Sequence, residues 1–365
     1  MSKTTLFRPA PLLLGIALAV PLSLPAHPGH DEVLIVAALA PDTVLAQTGG
    51  PGQQRGPGGP GGGPQQSTSG NTTYTNSVQI TVEGDFRVVR ANGIPDHPTG
   101  QFPGRGNPNR IGPQRYEFRM PAKPQAAAQA TALRMQPFGV AVNGVVFDPG
   151  AAEWWRNDRS STWQYEPMSG AINLGVDQSN AHVQPNGSYH YHAIPLGLVS
   201  RLTGNQAKMA IVGWAADGFP IYGPWAYSDA KNTNSALKKV KSSYRVRSGE
   251  RPDGPGGKYD GSFVADYEYA KDSGDLDECN GRFGITPEFP KGTYYYVLTE
   301  AYPYIPRAYR GTPDRSFQTH GGPGGPGGRG GPGGGPGGPG GGRGPGGGGP
   351  GGGGFGPPEG RPPGF

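Results

Sequence analysis

The sequence predicts a mainly β fold, an antiparallel sandwich or barrel-like single domain with few short helices. Three observations predict it: branched and aromatic residues recur in short runs along the middle of the chain, each run closes on Gly, Pro, Asn or Asp, and helix signals are few. Of the 365 residues, 67 are glycine and 42 proline, and most of these crowd the two ends. Residues 72–320 keep the composition of an ordinary globular domain and are long enough to bury a substantial core.

Residues 1–46 read as a secretory leader. Lys3 and Arg8 precede an apolar stretch from Leu12 to Leu24, and Ala26, Ala40 and Ala46 offer cleavage positions, Ala46 being the first choice. Pro9, Pro11, Pro21 and Pro25 interrupt a stretch already short of the roughly 20 residues that a spanning helix needs, so no membrane span is expected once the leader is removed. The expected location is secreted, periplasmic or cell-surface. Residues 47–71 carry no apolar side chain to bury and much glycine, the composition of a disordered linker. Strand-like runs follow at 78–89, 138–149, 209–223, 262–270 and 293–305, with short helices expected over 125–134 and 235–244, the second behind Asn234 as N-cap. The tail, 321–365, places glycine at every third position from Gly321 to Gly333, but the period fails at Pro336, which favours a flexible spacer over a collagen helix.

Charge and cysteine content exclude some classes. The formal charge is +5, and no Lys/Arg block is interleaved with aromatic residues, so nucleic-acid binding is not expected. Cys279 is the one cysteine, which excludes an intramolecular disulfide. Gly-x-Ser-x-Gly and His-Glu-x-x-His patterns are missing from the sequence.

The chemistry concentrates in 181-AHVQPNGSYHYH-192. Alternation along a strand puts His190 and His192 on one face and Tyr189 and Tyr191 on the other. Whether His182 joins them depends on the turn. A two-residue Asn186-Gly187 loop turns it away, whereas a three-residue Pro185-Asn186-Gly187 loop sets it opposite His190. Proline as the first loop residue and glycine as the left-handed last one favour the longer loop. The expectation is therefore three imidazoles on one face, a ligand set for a divalent transition metal: zinc, copper or iron. The competing reading is a hairpin whose histidines bond to buried carboxylates or carbonyls.

Asp217 is the candidate fourth ligand, with Asp177 and the 275–278 run (Asp275, Asp277, Glu278) as further companions. That run departs from the EF-hand pattern and reads better as an acidic turn. His97 stands alone in a proline-rich loop and reads as structural.

The segments NAHVQPNGSYHYH, DGFPIYGP, GDLDECNGRFGITPEFPKGTYYYVLTEAYPYIPR, GIPDHPTGQFP and VAVNGVVFDPG resemble the YHYH domain family of secreted and surface proteins, whose motif is Tyr189 to His192 here. The resemblance covers nearly all of 74–318. It implies no settled reaction, cofactor or catalytic residue. Similar sequences often carry a cysteine after Ile-Pro-Arg where this chain has Ala308, so the resemblance implies that Cys279 lacks a partner. The functional expectation is an exported metal-binding domain, a metal-dependent hydrolase or oxidoreductase. The alternative is a non-catalytic module for glycans or surface partners that uses its aromatic residues as a platform, although large rings in β proteins usually form core. The extracellular ligand or substrate and the oligomeric state are not specified by the sequence.

Overall fold

The computed structural model describes residues 66–69 and 72–320. The expected leader, most of the linker and the glycine-rich tail lie outside the described residues; Gln66–Ser69, within the segment read as linker, pairs with Thr72–Thr75 as a short ribbon. Among the described residues no helix is long and apolar enough to cross a membrane.

The chain is mainly β and is built around two sheets. A three-stranded antiparallel sheet consists of β1 (Val78–Glu83), β2 (Phe86–Ala91) and β3 (Tyr116–Pro121). In β3 alternation is strict: Tyr116, Phe118 and Met120 are buried while Glu117 and Arg119 face out. An eight-stranded sheet consists of β4 (Gly139–Ala141), β5 (Val146–Phe147), β6 (Ala181–Val183), β7 (Tyr189–Tyr191), β8 (Ile211–Ala215), β9 (Pro220–Tyr222), β10 (Gly281–Gly284) and β11 (Thr293–Val297). Its order is β10-β11-β9-β8-β4-β5-β7-β6, four antiparallel hairpins in a row, with parallel seams at β5/β7 and β9/β11. Val89, Phe118 and Met120 of the small sheet share one buried cluster with Val140, Tyr191 and Tyr296 of the large one and with Phe138 just ahead of β4.

The eight-stranded sheet contains one four-stranded unit twice. At its centre β4 and β8 run antiparallel with Trp214 opposite Val140, Gly213 opposite Ala141 and Ala215 opposite Gly139, a register that maps onto itself when the strands are exchanged. Outward on each side the pairings match one for one. Tyr191 opposes Phe147 and Ala181 in the first half, as Tyr296 opposes Ile221 and Gly281 in the second. The local hydrogen bonds repeat as well. Asp177 caps the amides of Ser179 and Ala181 and accepts from the Tyr189 hydroxyl, as Asp277 caps Cys279 and Gly281 and accepts from Tyr294. Asn180 and Asn280 both take left-handed conformations, with φ of 56° and 55°. Glycine is required at the centre because a Cβ on Gly213 would lie 2.4 Å from the Val140 carbonyl oxygen, and one on Gly139 would lie 2.4 Å from that of Trp214.

Neither expected helix forms. Residues 125–134 lie extended, and Thr131–Ala132 pair with Ala308–Tyr309; this stretch offers mostly exposed alanines with no apolar stripe to dock, and so short a helix does not stand without one. Within 235–244, Leu237–Lys239 pair with Trp225–Tyr227, because Val240 and the half-buried Leu237 find partners in a small apolar cluster against β9 and β11. The α-helix that does form, α1 (Leu196–Thr203), directly follows the histidine hairpin and ends on Gly204 in the left-handed conformation.

Candidate metal centre

The β6–β7 hairpin has the three-residue loop. The Gln184 amide donates to the Ser188 carbonyl (2.9 Å), Gly187 has φ of 88°, and His182 stands directly opposite His190. Alternation then separates the motif by chemistry. Tyr189 and Tyr191 enter the core, where the Tyr189 hydroxyl donates to Asp177 (2.7 Å) and the Tyr191 hydroxyl meets His97 Nε2 (2.7 Å) and Asn143 (2.9 Å). The opposite face carries His182, His190 and His192.

These three rings form a near-threefold arrangement. Their centroids are 4.6, 4.7 and 4.7 Å apart, with interplanar angles of 66°, 71° and 70°, and one nitrogen from each lies within 4.8 Å of the other two. His190 and His192 are fully buried and His182 is partly so. The His182 Nδ1–H donates to the Leu174 carbonyl (2.7 Å) and the His190 Nδ1–H to the Ser188 carbonyl (3.2 Å). Each carbonyl fixes the tautomer that leaves Nε2 as a bare lone pair, the orientation found for metal-ligating histidines. Among the described residues neither nitrogen of His192 has a hydrogen-bond partner. Burial pushes His182 and His190 down to about 4, assisted for His182 by its neighbour His190, and holds His192 well below its ordinary value, so all three are neutral near pH 7.

The second half of the sheet shows what the scaffold alone requires. The register places Arg282, Tyr295 and Val297 where the first half has His182, His190 and His192. There Arg282 donates to the Tyr295 hydroxyl (2.7 Å), and Tyr295 and Val297 belong to a buried apolar cluster. The tyrosines of the motif recur as Tyr294 and Tyr296; the histidines do not. The phenols are therefore common to both halves of the fold, and the imidazoles are particular to the first.

Asp148 is the residue that sequence reasoning missed. It follows β5 directly, and its Asp-Pro-Gly context reads as a strand terminator. Burial pushes its carboxyl up to about 6, against the pull of the Gly150 amide, Arg307 and His182. Arg307 lies near enough to lower His192, and its guanidinium is held by the buried carboxylate of Glu166 (2.5 Å).

Asp217 is not brought to the trio. It occupies the place in the second half that Asn143 takes in the first, accepts from Tyr296 (2.5 Å) and the Gly311 amide (2.8 Å), and so locks core tyrosine rather than facing the imidazoles. The physical reason is register: its turn belongs to the β8–β9 hairpin, whose aspartate points to the phenol face. Asp177 has the same kind of role under Tyr189. His97 braces Tyr191, as expected of a structural histidine. Asp275 pairs with Lys238 (2.6 Å), and Asp277 and Glu278 with Arg310 (2.6 and 2.8 Å). Cys279 is buried, and burial pushes its thiol up to about 12. Of the aromatic residues available as a platform, the five tryptophans and the tyrosines of 293–304, Tyr294, Tyr295, Tyr296, Tyr302 and Trp163 are core, while Tyr304, Trp154, Trp155, Trp214 and Trp225 are half-buried.

A family model described as YHYH protein matches residues 117–311. No curated protein and no solved structure matches the chain.

Proposed function

The chain belongs to the YHYH protein family, and from that premise we propose that it is an exported protein binding one divalent transition metal, zinc, copper or iron, through His182, His190 and His192. One observation carries the reading: three neutral imidazoles converge, two of them with Nδ1–H engaged by carbonyls, and among the described residues His192 is buried with both ring nitrogens unpartnered. An unpaired buried polar group costs about 1–3 kcal/mol. A cation between the lone pairs removes that cost for the coordinating nitrogen, and the repulsion among the three. The two carbonyls behind His182 and His190 supply the outer-shell support such ligands use.

Three protein ligands leave at least one coordination position for water or substrate, the arrangement of catalytic rather than structural zinc sites. A bound ion there supplies Lewis acidity for hydrolysis of an extracellular substrate, or, if copper or iron, redox chemistry. Export is supported by the basic start and apolar stretch of the leader.

The test is elemental analysis of the purified full chain beside His190→Ala/His192→Ala, followed by readdition of zinc, copper and ferrous iron to chelated protein. About one ion per chain in the native protein and none in the folded double variant is the expected result. A native protein that neither retains nor takes up any of the three metals overturns the proposal.

A further inference from the structure

A buried carboxylate that no pairing rule of the fold requires lies beside the histidine trio. The parallel β5/β7 register sets Val146 beside His190 and Phe147 beside Tyr191, and the Asp148 amide donates to the Tyr191 carbonyl (2.9 Å), so Asp148 falls next to His192 on the imidazole face. On the other side of β7, Gln184 lies two residues beyond His182 and shares its face. Strand order puts β7 between them, yet Gln184 Nε2 reaches Asp148 Oδ2 at 3.4 Å, so the two side chains meet across the strand that carries His190 and His192.

Asp148 is loosely held for a buried acid. Its carboxylate contacts are long, 3.3 Å from the Gly150 amide and 3.4 Å from Gln184, and among the described residues it forms no ion pair within 4 Å. Glu166, by contrast, has Arg307 at 2.5 Å. The second half again supplies the comparison. Its equivalent of Asp148 is Tyr222, whose hydroxyl donates to Glu288 (2.6 Å) within the apolar cluster. All four positions, 148, 182, 190 and 192, thus change together between the halves. The trio is the group of carboxylate, thiol and imidazole residues that could enclose an ion among the described residues, and Asp148 stands outside that group. The β5/β7 register sets it beside His192.

Resting on the metal reading above, we propose that Asp148 is the fourth functional residue of the centre, the hydrogen-bond acceptor for a proton-bearing group, water or a substrate hydroxyl, that occupies the open side of the histidine trio. Gln184 donates to Oδ2 and the Gly150 amide to Oδ1, and these two donors orient the carboxylate. The ligand class this selects is neutral and protic, because an anion placed there would meet the Asp148 charge.

Cobalt-loaded full chain provides the test, its visible absorption reporting the open position. Two probes are titrated: acetohydroxamic acid, which can give a proton to Asp148, and thiocyanate, which cannot. Asp148→Asn is expected to bind cobalt at the same stoichiometry, to bind the hydroxamic acid about 10- to 100-fold more weakly, the usual loss for an outer-shell partner, and to bind thiocyanate no more weakly; Asp148→Glu should recover part of the hydroxamic acid binding. Equal affinity for both probes in native protein and Asp148→Asn overturns the role of Asp148 while leaving the metal site intact. Equal weakening of both probes also overturns it, showing a purely structural carboxylate. Failure of native protein to bind cobalt overturns the metal reading, and this inference with it.

Discussion

Replacing His192 by valine separates a ligand from a structural histidine. Valine is the residue that the second half of the sheet carries at this place, as Val297, buried against Tyr222 and Tyr295. In the metal-free protein the imidazole of His192 is buried with two unpartnered nitrogens. Their removal relieves about 2–4 kcal/mol in all, the lower part of the range for two such groups, while the smaller side chain leaves a void costing about 1 kcal/mol. The net expectation is a metal-free variant about 1–3 kcal/mol more stable than the native chain. For a domain of this size that corresponds to a rise in Tm of about 2–10 °C. The assay is urea unfolding of chelated protein, with metal content measured in parallel; metal binding should fall at least about tenfold while metal-free stability rises. A variant that loses more than about 1 kcal/mol and takes up metal as before would refute the reasoning, because His192 would then be a satisfied core residue.

The metal-free protein should lose stability in acid. His190 titrates near 6.5 when unfolded and at about 4 when folded, so between these values the unfolded chain binds the extra proton; stability is fully present above pH 6.5 and falls as pH drops toward 4, by up to about 3 kcal/mol for this residue. Thermal melts of chelated native protein and His190→Tyr from pH 7.5 to 5 check this, the variant giving the flatter curve; equal slopes contradict it. Asp217→Ala should cost about 3 kcal/mol through the bonds lost from Tyr296 and Gly311, with an unchanged metal-to-protein ratio in the folded fraction. Gly213→Ala should cost about 3 kcal/mol or more, measured by the same urea unfolding, since its Cβ would meet the Val140 carbonyl oxygen at 2.4 Å.

The sequence made the hairpin legible because its determinants are local. Proline and glycine at the two ends of the loop select the three-residue turn, and alternation assigns each side chain a face. Asp148 was not legible, because its distance from the histidines is a matter of which strand pairs in parallel with β7, and Asp-Pro-Gly looks like ordinary turn chemistry. Asp217 was misplaced for the same reason: DGFPIYG is a hairpin turn like VNGVVFD, and only the sheet order shows that it serves Tyr296. The repeat itself was hidden because its two hairpins are separated by unlike insertions, 149–176 in one half and 223–276 in the other, and because the positions that recur are few: Gly139, Asp177, Asn180, Tyr189 and Tyr191 with Gly213, Asp277, Asn280, Tyr294 and Tyr296. The two missed helix assignments show pairing prevailing over propensity. Alanine-rich 125–134 has helical preference but nothing to bury, and backbone bonds from Ala127 to Arg310 and Leu133 to Arg307 hold it extended.

X-ray absorption at the metal edge of the reconstituted full chain tests the central claim most directly. The account predicts three imidazole nitrogens at about 2.0–2.1 Å, if the ion is zinc, with one or two further oxygen scatterers, and loss of the imidazole signature in His182→Ala, His190→Ala and His192→Val alike. A first shell of oxygens without imidazole scattering, or a spectrum unmoved by those substitutions, would contradict it.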